Sequence, residues 1–216
     1  MSTTALPAAP DREQRILEAA DSLFGEAGYE ATSVQQVADR AEVNKALVFY
    51  YFRSKERLFE QVLQRYYDSH RVALAAALVG DDGLCSRLHR MIDAYLDFML
   101  ANVGYARLVQ GQLAGEGAHV AVIARNMELM QASVAESLGD VAPQSGPLAA
   151  RQFFVTFSGA VINYFTYAPA LTATWGGDPL GEQAIADRRA HLHWLVDAIV
   201  DRLPDELPTG SAARSG

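Results

Sequence analysis

Cysteine, lysine and sheet-like alternation are nearly absent from this chain, and each absence excludes something. One cysteine, Cys85, in 216 residues rules out a disulfide framework and a cysteine-based zinc site, and suits a reducing compartment. Residues 1–10 carry neither a basic stretch nor an apolar run, so they are expected to form a disordered tail rather than a signal peptide, as is 204–216. Lysine occurs only at Lys45 and Lys55, within a formal net charge of −8, which argues against nonspecific attraction to polyanions. No segment sustains the period-two alternation of a half-buried strand. Gly-x-Ser-x-Gly, P-loop and His-Glu-x-x-His patterns are missing. Gly115-Glu116-Gly117 lacks the third glycine and the preceding strand of a dinucleotide loop. Asp93 and Asp97 read as a solvated acidic face. His191 and His193 fall about 200° apart on a helix and cannot share a metal ion. No catalytic residue, metal or cofactor is therefore expected.

What is present is helical spacing almost throughout. Apolar residues at Ile16, Leu17, Ala20, Leu23, Phe24 and Ala27 mark a helix over 11–27, with Gly28 as its C-cap. Ser33 and Gln36 form a capping box for a helix running to about Ala41. Asn44 caps a helix ending near Phe52, and Ser54 caps one that continues to about Val79, where the Gly80–Gly83 cluster ends it. Further helices are expected at 84–101, 105–115, 118–138, 148–168 and 182–203, with breaks at 141–147 and 169–179. The fold class is all-α, about nine helices. Gln152 to Gly177 contains no charged residue. Asn163, Thr156, Ser158, Thr166 and Pro169 interrupt it and no positive flank anchors it, so a helix buried on all sides fits better than a membrane span.

Charge is distributed unevenly. Residues 1–60 hold seven basic and ten acidic groups, yet within 40–57 Arg40, Lys45, Arg53, Lys55 and Arg57 face only Glu42 and Glu56. That window coincides with two short helices joined by a tight turn, at about 33–52. In a helix-turn-helix the second helix presents its N-terminal residues to base edges in the major groove of double-stranded DNA. Asn44 and Lys45 stand there, able to reach adenine and guanine, and Val48 offers an apolar contact to a thymine methyl. Tyr50 and Tyr51 can donate to phosphates, and Lys55 lies in the first turn of the next helix, where backbone amides favour an anion. Ala38, Val43, Leu47 and Phe52 face inward.

Residues 11–58 resemble the DNA-binding domain of the tetracycline-repressor (TetR) family. The likeness rests on the long first helix, Gly28-Tyr29-Glu30-Ala31-Thr32-Ser33-Val34, Val37-Ala38, and Phe49-Tyr50-Tyr51-Phe52-Arg53-Ser54-Lys55-Glu56-Arg57-Leu58. It implies an N-terminal DNA-binding domain followed by a regulatory and dimerisation domain over 59–203. It also implies that Thr32, Ser33 and Gln35 lie near phosphates or bases, that Asn44, Lys45, Ala46 and Val48 read bases, and that Phe49, Tyr50, Tyr51 and Lys55 flank the backbone. Two positions depart from the family pattern. Glu42 replaces the usual turn glycine, at a position suited to positive φ, and brings a negative charge near DNA. Phe49 replaces a tyrosine and lacks its hydroxyl.

Relatives of this kind bind a small molecule in the C-terminal domain and release DNA. Phe98, Met99, Tyr105, Met127, Met130, Phe154 and Phe157, with Gln110 and Ser158 as polar handles, are the candidate lining, suited to a hydrophobic aromatic or acyl effector. The last two helices resemble a four-helix dimer interface, through Phe153, Val161, Phe165, Leu192, Leu195, Val196 and Ile199. A twofold homodimer sets its recognition helices roughly 35 Å apart and demands a palindromic operator. The resemblance thus implies a cytoplasmic, ligand-relieved repressor with DNA, itself and a small effector as partners, and no membrane. Two rivals are a ligand-independent helical DNA-binding regulator and a small-molecule binding protein that never touches DNA.

Overall fold

The computed structural model describes residues 9–77, 79, 83–113, 119–138, 145–147 and 149–202. Among them are nine α-helices and no strand: α1 (Ala9–Ala27), α2 (Val34–Arg40), α3 (Lys45–Phe52), α4 (Lys55–Ala77), α5 (Leu84–Ala101), α6 (Val103–Leu113), α7 (Val120–Leu138), α8 (Ala150–Trp175) and α9 (Glu182–Val200). Ala9 and Pro10, expected in the tail, instead open α1, where proline's missing N–H costs nothing. The rest of both expected tails, and Gly115-Glu116-Gly117, lie outside the described residues. No described helix is long and apolar enough to cross a membrane.

The chain divides into two compact units, one of 1–69 with 102–126 and one of 70–101 with 127–216. This differs from a linear boundary at Leu58, because α6 and the start of α7 return to the first unit.

In the first unit α1 packs on α2 and α3, and the buried residues are Ile16, Leu17, Ala20, Leu23 and Phe24 of α1, Val37 and Ala38 of α2, Val48 and Phe52 of α3, and Leu58, Phe59, Val62 and Leu63 of α4. Phe24 and Phe59 are fully buried and meet edge to face at 5.0 Å, each burial stabilising by about 1.5–3 kcal/mol. Gly25 of α1 and Gly104 of α6 let their helices approach closely, since a Cβ on Gly104 would lie 3.3 Å from the Gly25 Cα. Arg107 Nη1 donates to the Gly25 carbonyl at 3.1 Å across the same crossing.

In the second unit α5 packs on both α8 and α9. Leu74, Ala77, Met91, Val134 and Phe154 form one buried cluster. Arg189 of α9 donates to Asp93 at 2.7 Å and Asp97 at 2.5 Å on α5, so this acidic pair is an anchor for α9 rather than a merely solvated face. Helix α8 runs through Pro169 to Trp175 instead of stopping near Ala168. The proline removes one intrahelical N–H, but the buried Phe165 and Ala168 hold the turn in place. Nor is α8 buried all round: Phe154, Val161, Tyr164 and Phe165 face inward while Val155, Tyr167 and Trp175 are exposed.

Candidate nucleic-acid interface and effector cavity

The helix-turn-helix is set by its caps. Ser33 Oγ accepts from the Gln36 N–H at 3.2 Å, and the Ser33 N–H donates to Gln36 Oε1 at 2.8 Å. Asn44 Oδ1 accepts from the Leu47 N–H at 2.8 Å. These bonds satisfy amides that the first turns of α2 and α3 leave without intrahelical partners. Between the helices Glu42 has φ 53°, the left-handed conformation that glycine adopts without strain. Arg15 holds this turn: it donates to the Ala41 carbonyl at 2.5 Å and to Glu42 Oε2 at 3.2 Å. The ion pair also offsets the charge that Glu42 brings. Arg53, between α3 and α4, is a second non-glycine residue at positive φ, 64°; no local sequence signal marked it.

The outward face of this region exposes Ser33, Gln35, Asn44, Lys45, Ala46, Phe49 and Tyr50, with Tyr51 and Lys55 half-buried. Lys45 Nζ lies 5.9 Å from the centre of the Phe49 ring. Tyr50 and Tyr51 meet edge to face at 5.3 Å. Lys55 Nζ sits over the Tyr29 ring at 4.2 Å and donates to the Glu30 carbonyl at 3.4 Å. Tyr29 donates to Glu56 at 3.0 Å, and burial together with that bond pushes its phenol up to about 12. The local basic excess is smaller than its sequence count, because Arg40 pairs with Glu26 at 2.8 Å and Arg57 with Glu60 at 3.0 Å. Arg40, with help from Ser22, holds the Glu26 carboxyl below its usual range.

Two expectations at this face need correction. Val48 is only 2% exposed and packs inside, so it cannot meet a thymine methyl; Ala46 and Phe49 are the exposed apolar groups of α3. Thr32 is also 2% exposed, its hydroxyl directed at the Gly28 carbonyl at 2.9 Å and the Leu23 carbonyl at 3.2 Å. It closes the end of α1 rather than facing a phosphate. Asn44 spends one oxygen lone pair on its cap, so Nδ2 is the group best placed for a base.

In the second unit an apolar cavity of about 80 Å³ is lined by His70, Leu74, Leu88, Met91, Ile92, Tyr95, Met130, Val134, Phe153, Phe154, Phe157, Ser158, Val161, Val196, Ile199 and Val200. Of the expected lining, Met130, Phe154, Phe157 and Ser158 are there. Phe98 and Met99 are buried core, and Met127 packs on the neighbouring cluster. Tyr105 and Gln110 belong to the first unit, because α6 folds back to α1. His70 had no signal beyond being a lone histidine on an apolar helix face. It is fully buried, sandwiched by Tyr95 at 4.4 Å and Phe98 at 4.5 Å, and neither ring nitrogen has a partner. Burial pushes it down to about 4, so the ring is neutral.

Of the residues expected at a dimer contact, Leu195 is partly exposed, and four others need correction. Val161, Phe165, Leu192 and Val196 are buried within the protomer, and Phe153, Val161, Val196 and Ile199 line the cavity. The outer faces of α8 and α9 form a groove instead, which includes Val155, Gly159, Asn163, Tyr167 and Trp175 on one helix and Ala184, Asp187 and His191 on the other. His191 stacks on the exposed Trp194 at 5.9 Å, whereas His193 points to Asp93 at 2.7 Å. The two histidines therefore serve different faces.

Residues 16–62 match the family model for bacterial regulatory proteins, tetR family. The chain is 34% identical over 89 residues to the transcriptional activator FasR of Mycolicibacterium smegmatis, a segment covering 41% of each chain. It is 27% identical over 128 residues to the transcriptional repressor NicS of Pseudomonas putida, covering 59% of this chain and 58% of NicS. The match therefore spans roughly half the length of these curated relatives. A tetR-family regulatory protein from Rhodococcus RHA1 has the same fold, with TM-score 0.69 and 21% identity over 88% of this chain and 96% of that one.

Proposed function

We propose, from the premise that the N-terminal domain of this chain is that of the tetR family of bacterial regulatory proteins, that the protein is a homodimeric transcriptional regulator released from a palindromic operator by a small hydrophobic ligand. FasR and NicS, to which it is similar, are named as transcriptional regulators. The observation that carries the reading is the exposed face of α3. Lys45, Ala46, Phe49 and Tyr50 stand outward in an acidic protein while Val48 and Phe52 anchor the helix from inside. Lys45 reads bases and Lys55 positions the backbone. Selection of genomic and random duplexes by ligand-stripped, refolded protein at moderate salt tests this. The expected result is an enriched palindrome; no enrichment by a folded dimer overturns it.

The dimer forms through the outer faces of α8 and α9, where Val155, Tyr167, Trp175 and Trp194 are each more than half exposed. Contiguous apolar exposure of this kind marks an association surface, and a twofold axis makes it self-complementary. Sedimentation should give a dimer at micromolar concentration, and Tyr167→Glu should shift it to monomer with helicity unchanged.

The effector occupies the His70 cavity. At about 80 Å³ it is well below the roughly 300 Å³ of a preformed ligand site, so entry requires the flexible Met130 and the half-buried Phe157 to move. The ligand is an aromatic or acyl molecule with one hydrogen-bonding group, which the neutral imidazole of His70 meets. By binding the DNA-incompetent conformation more tightly it shifts the population away from the operator. Repression is the proposed outcome, tested by a reporter placed under the selected operator. NicS is named a repressor and FasR an activator, so the reporter's direction of change is the deciding observation. A panel of acyl and aromatic compounds that leaves operator binding untouched would favour the ligand-independent rival.

A further inference from the structure

We propose that Cys85, His89 and Asp197 form a binding site for one divalent transition-metal ion of the zinc class, independent of the DNA-binding reading. A lone cysteine cannot make a site built of cysteines, but the fold assembles a mixed one. Cys85 and His89 are one turn apart on α5 and share a face. Asp197, 112 residues further along, comes from α9. Its Oδ1 lies 2.8 Å from Cys85 Sγ and 2.9 Å from His89 Nε2, and Sγ and Nε2 are 3.8 Å apart. Three different donor types therefore converge on one point.

A tetrahedral zinc shell, with Zn–S near 2.3 Å and Zn–N and Zn–O near 2.0–2.2 Å, has ligand–ligand edges of roughly 3.4–3.6 Å. The sulfur–nitrogen edge, at 3.8 Å, lies about 0.2 Å beyond that span. Only the Asp197 carboxylate must withdraw, by less than about 1 Å on the same geometry, and its side chain is half exposed. Thiolate with imidazole and carboxylate selects zinc or cobalt over magnesium or calcium, which prefer oxygen-only sets.

The surroundings orient the donors. The His193 ring stacks on His89 at 4.1 Å with an interplanar angle of 6°. His193 is itself held by Asp93, which Arg189 also grips. Such outer partners fix ring orientation at metal sites. Asp201, one turn beyond Asp197, adds negative charge towards Cys85. When the ion binds, the Cys85 S–H bond breaks and its proton leaves to solvent; His89, whose Nε2 faces the Asp197 carboxylate and the His193 carbonyl, gives up its Nε2 proton and keeps its ring proton on Nδ1, so that the sulfur and Nε2 lone pairs both go to the metal. The fourth position stays open to water, as in three-ligand zinc sites. Occupancy would tie the start of α5 to the end of α9, helices whose Leu88, Val196 and Val200 wall the cavity.

The test uses full-length, chelator-treated protein titrated with Co²⁺ alone, followed by Zn²⁺. The expected result is one equivalent bound, with a thiolate-to-cobalt charge-transfer band in the near ultraviolet, tetrahedral d–d bands in the visible, and displacement by Zn²⁺. Cys85→Ser should abolish the charge-transfer band, and Asp197→Asn should weaken binding at least tenfold. Glu128→Gln, which alters an exposed carboxylate on α7 outside the cluster, should change neither. Circular dichroism establishes that each variant is folded; if Cys85→Ser is not, the charge-transfer band of the wild type still reports the sulfur ligand. Absence of that band in the wild type, or equal Co²⁺ affinity in folded Cys85→Ser, overturns the proposal.

Discussion

Thr32→Val separates an interior role for this hydroxyl from a phosphate contact. Valine matches threonine in shape, so the substitution removes one O–H and little else. That hydroxyl donates towards the Gly28 and Leu23 carbonyls from a side chain that is 2% exposed. A typical intramolecular hydrogen bond contributes about 0.5–1.5 kcal/mol net, and an acceptor left buried without a partner costs about 1–3 kcal/mol. Leu23 lies four residues before Ala27, so its carbonyl keeps a helical donor in α1; the Gly28 carbonyl beyond the helix loses the most. The expected loss is therefore about 1–2 kcal/mol. At roughly 2–4 °C per kcal/mol for a chain of this size, melting should fall by about 2–8 °C. Calorimetry of wild type, Thr32→Val and Thr32→Ser at one protein concentration reads this, alongside the salt dependence of operator binding. Serine keeps the donor and should retain most of the stability. A Thr32→Val protein that melts with the wild type while its salt slope falls by about one would refute the interior role and return Thr32 to the phosphate backbone.

Three further outcomes follow from the same geometry. Lys55→Ala should weaken binding on every sequence and lower the salt slope by about one, measured by fluorescence anisotropy from low to moderate salt. Glu42→Gly relieves about 1 kcal/mol of left-handed strain, but it adds unfolded-state entropy and loses the exposed Arg15 pair of about 0–1 kcal/mol. Melting should stay within a few degrees of wild type while DNA affinity rises as the negative charge disappears; unchanged affinity would place that turn away from DNA. Acid should destabilise the protein through His70. Folded, it titrates near 4; unfolded, near its ordinary 6.5. As pH falls from 6.5 to 4 the unfolded chain therefore takes up a proton that the native state refuses, and about 3 kcal/mol is lost across the window. Burial drives His119 in the same direction, whereas Glu26 and Glu56, whose carboxyls are held below their ordinary range, add their own loss only at lower pH. Chemical denaturation at a series of pH values should show this slope, and His70→Phe should reduce it.

What the sequence determined by itself is local. The capping box of Ser33 and Gln36 and the Asn44 cap were legible, because each depends on groups within about four residues; the positive φ at Glu42 followed only from the family resemblance. Helix number and most boundaries were legible for the same reason, since apolar periodicity records which residues share a face. Which face turns inward was decided only by tertiary packing. Val48 and Thr32 sit in a motif that reads as DNA-facing, yet both are buried within the first unit. Phe153, Val161 and Val196 read as an association face, yet they close around a cavity, and the outer faces of α8 and α9 carry Tyr167 and Trp194 instead. Periodicity cannot distinguish a stripe that meets its own chain from one that meets another. Nor can it bring together residues far apart in sequence: the return of α6 to α1 removed Tyr105 and Gln110 from the cavity's unit, and the pairing of α5 with α9 placed Cys85, His89 and Asp197 at one point. Those juxtapositions come from burying many apolar faces at once, a constraint that acts on the whole chain and on no single segment.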